Sequence, residues 1–426
     1  MPAAAPSEAA GGRRGAPAIG LAKAATASNN RLAFGFEAAL DAVALTFFPL
    51  LVLVPRGVAA LVSVAGVFAG GLILTANRRA VFQPYLAVPV AILGSLIAWA
   101  ILSAIWSVNA LRSLDQAARL GGIFVAGMAL AAAAGLLSNP RRLSSFQLAG
   151  FVLAIVMTAA DLATQGALSK PFSDRFYQPS WLNQASVAFA ILLLPTSALL
   201  FVHGRRIPAT LLAAAGAATV GALAGTAAKT ALVAGVAIAL LCYFWRTRVA
   251  RVVAVLSVLV IITAPLTFAR LEQVSDLVET ADAIKFSAGH RLLIWSFVGD
   301  RIAEHPLTGW GIDSSRSIPG GRDPIAPGET WLPLHPHNTP LQLWLELGVP
   351  GAVLFALLIG HVWLALGRAE WPRLFAAAAG GSLATAIVAS FATYGIWQEW
   401  WQGTLWFSLF LVLVTARVAS AAESRA

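Results

Sequence analysis

Apolar residues run along this chain in long, almost unbroken blocks, separated by short polar clusters. Twelve blocks are legible, near positions 38–54, 57–75, 86–105, 119–137, 146–164, 184–202, 208–225, 229–245, 249–268, 341–366, 374–394 and 403–416. Blocks of roughly 17 to 25 residues are long enough to cross a hydrocarbon core about 30 Å thick as helices. The pattern therefore predicts an all-α polytopic membrane protein with about twelve transmembrane helices. The stretch 208–245 is twice the length one crossing needs, and Gly225, Thr226 and Lys229 interrupt it, so it is divided there. Only one interval, between the ninth and tenth blocks, is long enough to hold structure of its own.

These breaks give residues 1–36 as a disordered tail rich in Ala, Gly and Ser, and 37–268 as helices one to nine. A large loop with short helices follows at 269–340, then helices ten to twelve at 341–418 and a short tail at 419–426. Composition agrees: 58% of residues are hydrophobic and 11% charged, with mean hydropathy +0.77, which excludes a soluble globule. The net charge of +10 is read as topology rather than nucleic-acid binding. Basic residues fall in alternate connections, including Arg78-Arg79, Arg141-Arg142, Arg205-Arg206, Arg246 with Arg248, and Arg368 with Arg373. The positive-inside rule then places both termini in the cytoplasm and the large loop on the opposite face. Cys242 is the sole cysteine, so no internal disulfide forms.

The large loop concentrates the chain's chemistry, holding four of its six histidines: His290, His305, His335 and His337. Within it, Leu292, Trp295, Val298 and Ile302 recur at helical spacing, predicting an interfacial helix over 289–304. Arg291 lies four residues before Trp295, on the same stripe, and so points inward. It either faces an anion or snorkels to one of the loop's carboxylates. His305-Pro306 ends that helix, and Gly309-Trp310-Gly311 predicts a tight turn with close backbone approach. His335-Pro336-His337 is extended around its proline, and Asn338 occupies a helix-cap position. The pair has too few companions for zinc. General base catalysis or a diphosphate contact suits a histidine of near-neutral pKa better. Glu346, about two turns into the tenth helix, needs a partner there. Either it pairs with Lys229, expected near the same boundary, or Lys229 faces a substrate anion.

Trp397-Gln398-Glu399-Trp400-Trp401 is expected to form an aromatic belt at the interface; the alternative is an entry for sugars, with Glu399 bonding hydroxyls. Arg112, Arg119, Lys170 and Arg175 lie on the face poor in basic residues and suggest anionic partners such as lipid phosphates.

Several of these pieces together resemble the O-antigen ligase and polymerase superfamily of bacterial inner membranes. They are Trp106-Ser107 with Arg112-Ser113, Trp181-Leu182-Asn183, Ala228-Lys229-Thr230-Ala231, Arg291 with Trp295, and His305-Pro306-Leu307-Thr308-Gly309-Trp310-Gly311. The most specific is His337-Asn338, nine residues, then Gly348-Val349-Pro350-Gly351. The resemblance implies transfer of a glycan from an undecaprenyl-diphosphate carrier, on the periplasmic face, to lipid A-core or to another glycan repeat. It implies His337 as the base activating the acceptor hydroxyl, and Arg291 stabilising the diphosphate leaving group. Lys229 would be a second cation where the family often has arginine, keeping the charge but losing the fork. His335, Asn338, Glu346, Trp295, Arg175, Gly309 and Gly311 complete the expected substrate contacts.

No cofactor is expected. The chain has no Asp-x-Asp pair to hold a metal on a diphosphate and no phosphate-binding Gly-x-x-x-x-Gly-Lys loop, so neither metal nor nucleotide is called for. A repeat-unit polymerase would keep the same cation and histidine. A lipid-linked glycan flippase fits the helix count equally, but it calls for charges near the bilayer midplane, where Asp41 is the main acid.

Overall fold

A computed structural model describes residues 16–76, 84–172, 177–223, 225–284, 286–326 and 328–425. Arg175, expected among the substrate contacts, lies outside them, as do Arg78 and Arg79. The helices are α1 (Ala16–Leu53), α2 (Val58–Thr75), α3 (Pro84–Ser103), α4 (Ala110–Ala134), α5 (Pro140–Ala163), α6 (Asn183–Val202), α7 (Arg206–Ala222), α8 (Thr226–Thr267), α9 (Leu277–Ile284), α10 (Phe286–Glu304), α11 (Thr339–Arg368), α12 (Arg373–Ala392) and α13 (Glu399–Glu423). Strand among the described residues is confined to a small antiparallel pair, β1 (Pro324–Ala326) and β2 (Glu329–Thr330). The protein is an all-α, multi-pass membrane protein. Among the described residues ten helices are long and apolar enough to cross a membrane.

The twelve apolar blocks and the ten spans reconcile at α7 and α8. Helix α7 is apolar but shorter than the rest. Helix α8 breaks at Trp245 (φ −136°, ψ 41°) and folds back as two antiparallel limbs. On the first limb, Gly235 fits so closely against α12 that a Cβ would lie 2.7 Å from the Gly381 carbonyl oxygen. Small residues let membrane helices approach in this way. At the turn, Arg246 Nη1 donates to Trp371 O (3.3 Å). The second limb returns along α11, with Ala250 beside Gly367 and Trp344 Nε1 donating to Ile261 O (2.8 Å).

Asparagine side chains start three helices. Asn109, Asn139 and Asn338 accept from the backbone N–H groups of Arg112, Arg142 and Leu341, satisfying donors that the first helical turn leaves open. Helix α1 begins at Ala16, well inside the stretch expected to be disordered. Its first turns are alanine-rich, and alanine has the highest helix propensity.

Alternating direction gathers one end of the bundle beneath the loop between α8 and α11. At the other end, Arg142 binds Asp41 (Nε to Oδ2 2.5 Å) and Arg417 donates to Ala134 O (2.6 Å). Asp41 is thus neutralised by the first turn of α5. The loop itself is docked rather than loose. Helix α10 buries Ile294, Val298 and Ile302 against Ala264, Leu341 and Leu345. The expected interfacial helix therefore sits on protein, because its apolar stripe finds the ends of α8 and α11 first.

Candidate active site

The site is built around a break in α11. Gly348 adopts φ 61°, ψ −156°, a conformation essentially reserved for glycine, and carbonyls lose their helical partners at such a break. The turn predicted at 309–311 replaces them: Trp310 N–H donates to Leu345 O and Gly311 N–H to Glu346 O, both at 2.9 Å. Trp99 Nε1 donates to Leu347 O (2.8 Å). A Cβ on Gly309 would lie 2.5 Å from the Glu346 carbonyl carbon, and one on Gly348 2.5 Å from Leu307 O. The close approach expected of Gly309 and Gly311 is therefore between chain segments.

Glu346 is fully enclosed, and its carboxylate gathers donors from three segments. Oε2 accepts from Asp313 N–H and Trp397 Nε1, both at 2.5 Å. Oε1 accepts from Gln342 Nε2 (3.1 Å) and from the Ser315 hydroxyl. Lys229 is not its partner, contrary to one expected pairing, because neutral donors already fill the acceptor sites. The Trp106-Ser107 and Arg112-Ser113 pieces brace the same loop. Ser113 Oγ donates to Ile312 O (2.5 Å), and Arg112 Nε binds Asp313 Oδ2 (2.6 Å).

Arg291 and His337 are held by consecutive carbonyls of the α12–α13 connection. Arg291 Nη1 donates to Ala392 O (2.6 Å), and His337 Nδ1 donates to Thr393 O (2.6 Å). Fixing the proton on Nδ1 leaves Nε2 of neutral His337 as a lone-pair acceptor. His337 is itself bent into the left-handed region at φ 56°, uncommon outside glycine although His, like Asn and Asp, enters it more readily than most. Trp295 Nε1 clasps the preceding residue by donating to Pro336 O (2.8 Å). Asn338 caps α11, and its amide nitrogen is buried without a protein partner. Arg291 has no carboxylate within ion-pair distance among the described residues. Burial lowers its pKa, which marks an incompletely compensated cation.

His335 plays a different part. Its ring packs 4.3 Å from that of His337, and its Nδ1 accepts from His337 N–H (3.2 Å). Neutral His335 therefore carries its proton on Nε2, 3.3 Å from the Gln398 side-chain amide. The Gln398 oxygen, which otherwise has no partner, is the complementary acceptor. Burial, reinforced by neighbouring cations, holds His335 down to about 2 and His337 down to about 4. Both imidazoles are neutral at pH 7. The His337 value is below the near-neutral one expected, because desolvation by burial outweighs the Thr393 hydrogen bond, with Arg291 adding a smaller push in the same direction.

Lys229 joins this arrangement indirectly. It lies one turn into α8, its N–H donating to Gly225 O, and Gly225 abuts Asn183. Tyr394, next to Thr393, donates its hydroxyl to Asn183 O (3.2 Å). Trp181-Leu182-Asn183 thereby links the start of α8 to the histidine segment.

Beside His335 opens a polar cleft of about 260 Å³. Its walls include Arg112, Arg119, Arg316, Gln398 and Glu399; of these, Arg316 carried no recognisable motif. Arg112 and Arg119, expected to meet anionic lipids, are instead paired with Asp313 and Asp115. The aromatic belt is also corrected: Trp397, Trp400 and Trp401 are buried, Trp397 in a cluster with Ile312, Leu343 and Leu347, and Trp400 and Trp401 in the bundle core beside Tyr394.

A sequence model described as O-antigen ligase matches residues 209–356, from α7 through the break in α11. A chain from Rickettsia conorii, provisionally named a polysaccharide ligase, is 36% identical over 162 residues, covering 36% of this chain and 39% of its own length. A Rickettsia felis chain of similar name is 35% identical over 33% of this chain and 35% of its own. A third, from Rickettsia typhi, is 26% identical over 332 residues, covering 75% and 78% of the two chains. The first two matches thus span well under half of those relatives.

Proposed function

We propose that the chain, similar to the O-antigen ligase superfamily over residues 209–356 and to polysaccharide ligases of Rickettsia, is a member of that superfamily and transfers a glycan from undecaprenyl diphosphate to lipid A-core. The site would face the periplasm of the bacterial inner membrane. The observation that carries this reading is the anchoring of Arg291 and His337 on consecutive carbonyls. It places a buried cation beside a histidine whose Nε2 can accept a proton.

The acceptor hydroxyl loses its proton to His337 Nε2 as its oxygen attacks the anomeric carbon. The bond from that carbon to the diphosphate oxygen breaks, and the carrier departs as a diphosphate. Arg291 stabilises the charge growing there, with Lys229 as a second cation. Binding the diphosphate also offsets the Arg291 charge that depresses His337, so the donor raises the basicity of the residue that uses it. His335 acts through His337 and positions it. The reaction draws its energy from the donor, without nucleotide or metal.

The test is transfer by purified protein from an undecaprenyl-diphosphate glycan, with or without lipid A-core. Expected is product on lipid A-core only, lost in His337→Ala and Arg291→Ala. Lengthening of the glycan without lipid A-core would make the protein a repeat-unit polymerase, and absence of any transfer would return the transporter reading.

A further inference from the structure

The cleft beside His335 is not used by the proton transfer, since His337 is not in its wall. Its charges are balanced, three guanidinium groups against three carboxylates. Asp313 holds Arg112 at 2.6 Å and Arg316 at 3.7 Å, while Arg119 is shared by Asp115 (2.9 Å) and Glu399 (3.6 Å). An anion entering would have to displace carboxylates already seated on those guanidinium groups. A polyol would not, because hydroxyls both donate to carboxylates and accept from guanidinium and amide N–H groups. At about 260 Å³ the cleft falls just below the roughly 300 Å³ at which sites for larger ligands begin, so it suits one sugar ring rather than a chain. Its inner wall is His335, whose ring centroid is 4.3 Å from that of His337.

We propose that this cleft is a subsite for a single uncharged pyranose unit flanking the reacting hydroxyl, with Asp115, Glu399 and Gln398 bonding its hydroxyls. The proposal rests on the glycan-transfer reading, because it takes the ring to belong to the donor glycan or to the acceptor. It also separates the sugar-binding cleft from the diphosphate contacts at Arg291, one imidazole pair away.

Two measurements on the full chain in detergent test it. The first is calorimetric binding of a dephosphorylated, delipidated core oligosaccharide and its phosphorylated counterpart, which needs no turnover. The neutral sugar is expected to bind at least as tightly as the phosphorylated one, and Asp115→Asn with Glu399→Gln to weaken it about tenfold, the loss of one or two charge-assisted hydrogen bonds. The second is kinetics of the same variant, in which the KM of either donor or acceptor rises about tenfold while kcat stays within twofold. Which KM moves identifies the source of the ring. Unchanged KM for both substrates, or a raised acceptor KM with unchanged core binding or a preference for the phosphorylated core, would overturn the subsite; a raised donor KM with unchanged core binding assigns the ring to the donor. Intact neutral-sugar binding without any transfer by the unsubstituted protein would sink the transfer reading and leave the subsite standing. Gln398→Leu, which alters no charge pair, repeats the binding test should the double variant fold poorly.

Discussion

Replacing Glu346 by glutamine is the most discriminating structural perturbation, because it changes one oxygen to an NH2 group inside a shell of donors. Oε2 faces Asp313 N–H and Trp397 Nε1–H, neither of which can accept. The amide nitrogen is therefore forced to the other side, against Ser315 and Gln342. The Ser315 hydroxyl can rotate to accept, but Gln342 cannot turn its oxygen round without abandoning Ile396 N–H, which donates to it at 2.9 Å. At least one buried donor is left unpaired, at about 1–3 kcal/mol, and a charge-assisted contact is lost at about 1.5–3 kcal/mol. A local destabilisation of about 3 kcal/mol corresponds to roughly a hundredfold faster opening of the 313–315 segment. Hydrogen exchange by mass spectrometry reads this directly. Glu346→Gln should accelerate exchange in peptides spanning Asp313 and Ser315 while leaving those from α1 and α5 unchanged. Equal protection in the variant and the parent would refute the view that this carboxylate ties the loop to α11.

Three further outcomes are expected. Gly348→Ala should lower the yield of folded protein in fluorescence-detected size exclusion, because the new Cβ would meet Leu307 O at 2.5 Å in a backbone region costing about 1–3 kcal/mol for other residues. Arg291→Lys should keep charge but lose the fork, so donor KM rises about tenfold with acceptor KM unchanged; equal KM values would show that the guanidinium does not meet the diphosphate. Thermal stability should fall as pH drops from about 6.5 towards 4. In that window the unfolded imidazoles take up protons that folded His335 and His337, held at about 2 and about 4, do not. The slope approaches about 1.4 kcal/mol per pH unit for each imidazole, and His335→Gln should roughly halve it in melts recorded across that range.

The helices were legible because apolar block length is a strong, local signal, and Asn338 marks the start of α11; α4 and α5 begin earlier than the apolar blocks at 119–137 and 146–164, because Asn109 and Asn139 cap polar first turns. The hairpin inside α8 was legible too, since the apolar blocks at 229–245 and 249–268 are parted by Arg246 and Arg248. Less visible was everything set by contacts far apart in sequence. Nothing in Arg316 announces that it shares Asp313 with Arg112, and a cation was the natural guess for Glu346 because side-chain spacing does not reveal backbone donors. The glycines of 309–311 signal close approach but not what approaches, which proves to be the α11 backbone. Trp397 to Trp401 have the composition of an interfacial belt; their burial depends on helices and a loop residue far away in sequence. His337 and Arg291 were recognisable as types, whereas the carbonyls of Ala392 and Thr393 that aim them leave no trace in the sequence.

The central claim is that His337 Nε2 is the base and that its strength depends on charge at Arg291. The pH dependence of transfer tests it most directly, because kcat/KM for the donor reports groups in the free enzyme and kcat those in the complex. Activity should be lost as pH falls, with the break in kcat/KM near 4, where His337 lies without donor, and the break in kcat displaced upward once the diphosphate offsets Arg291. Coincident breaks, or a residual profile of unchanged shape in His337→Ala, would contradict it.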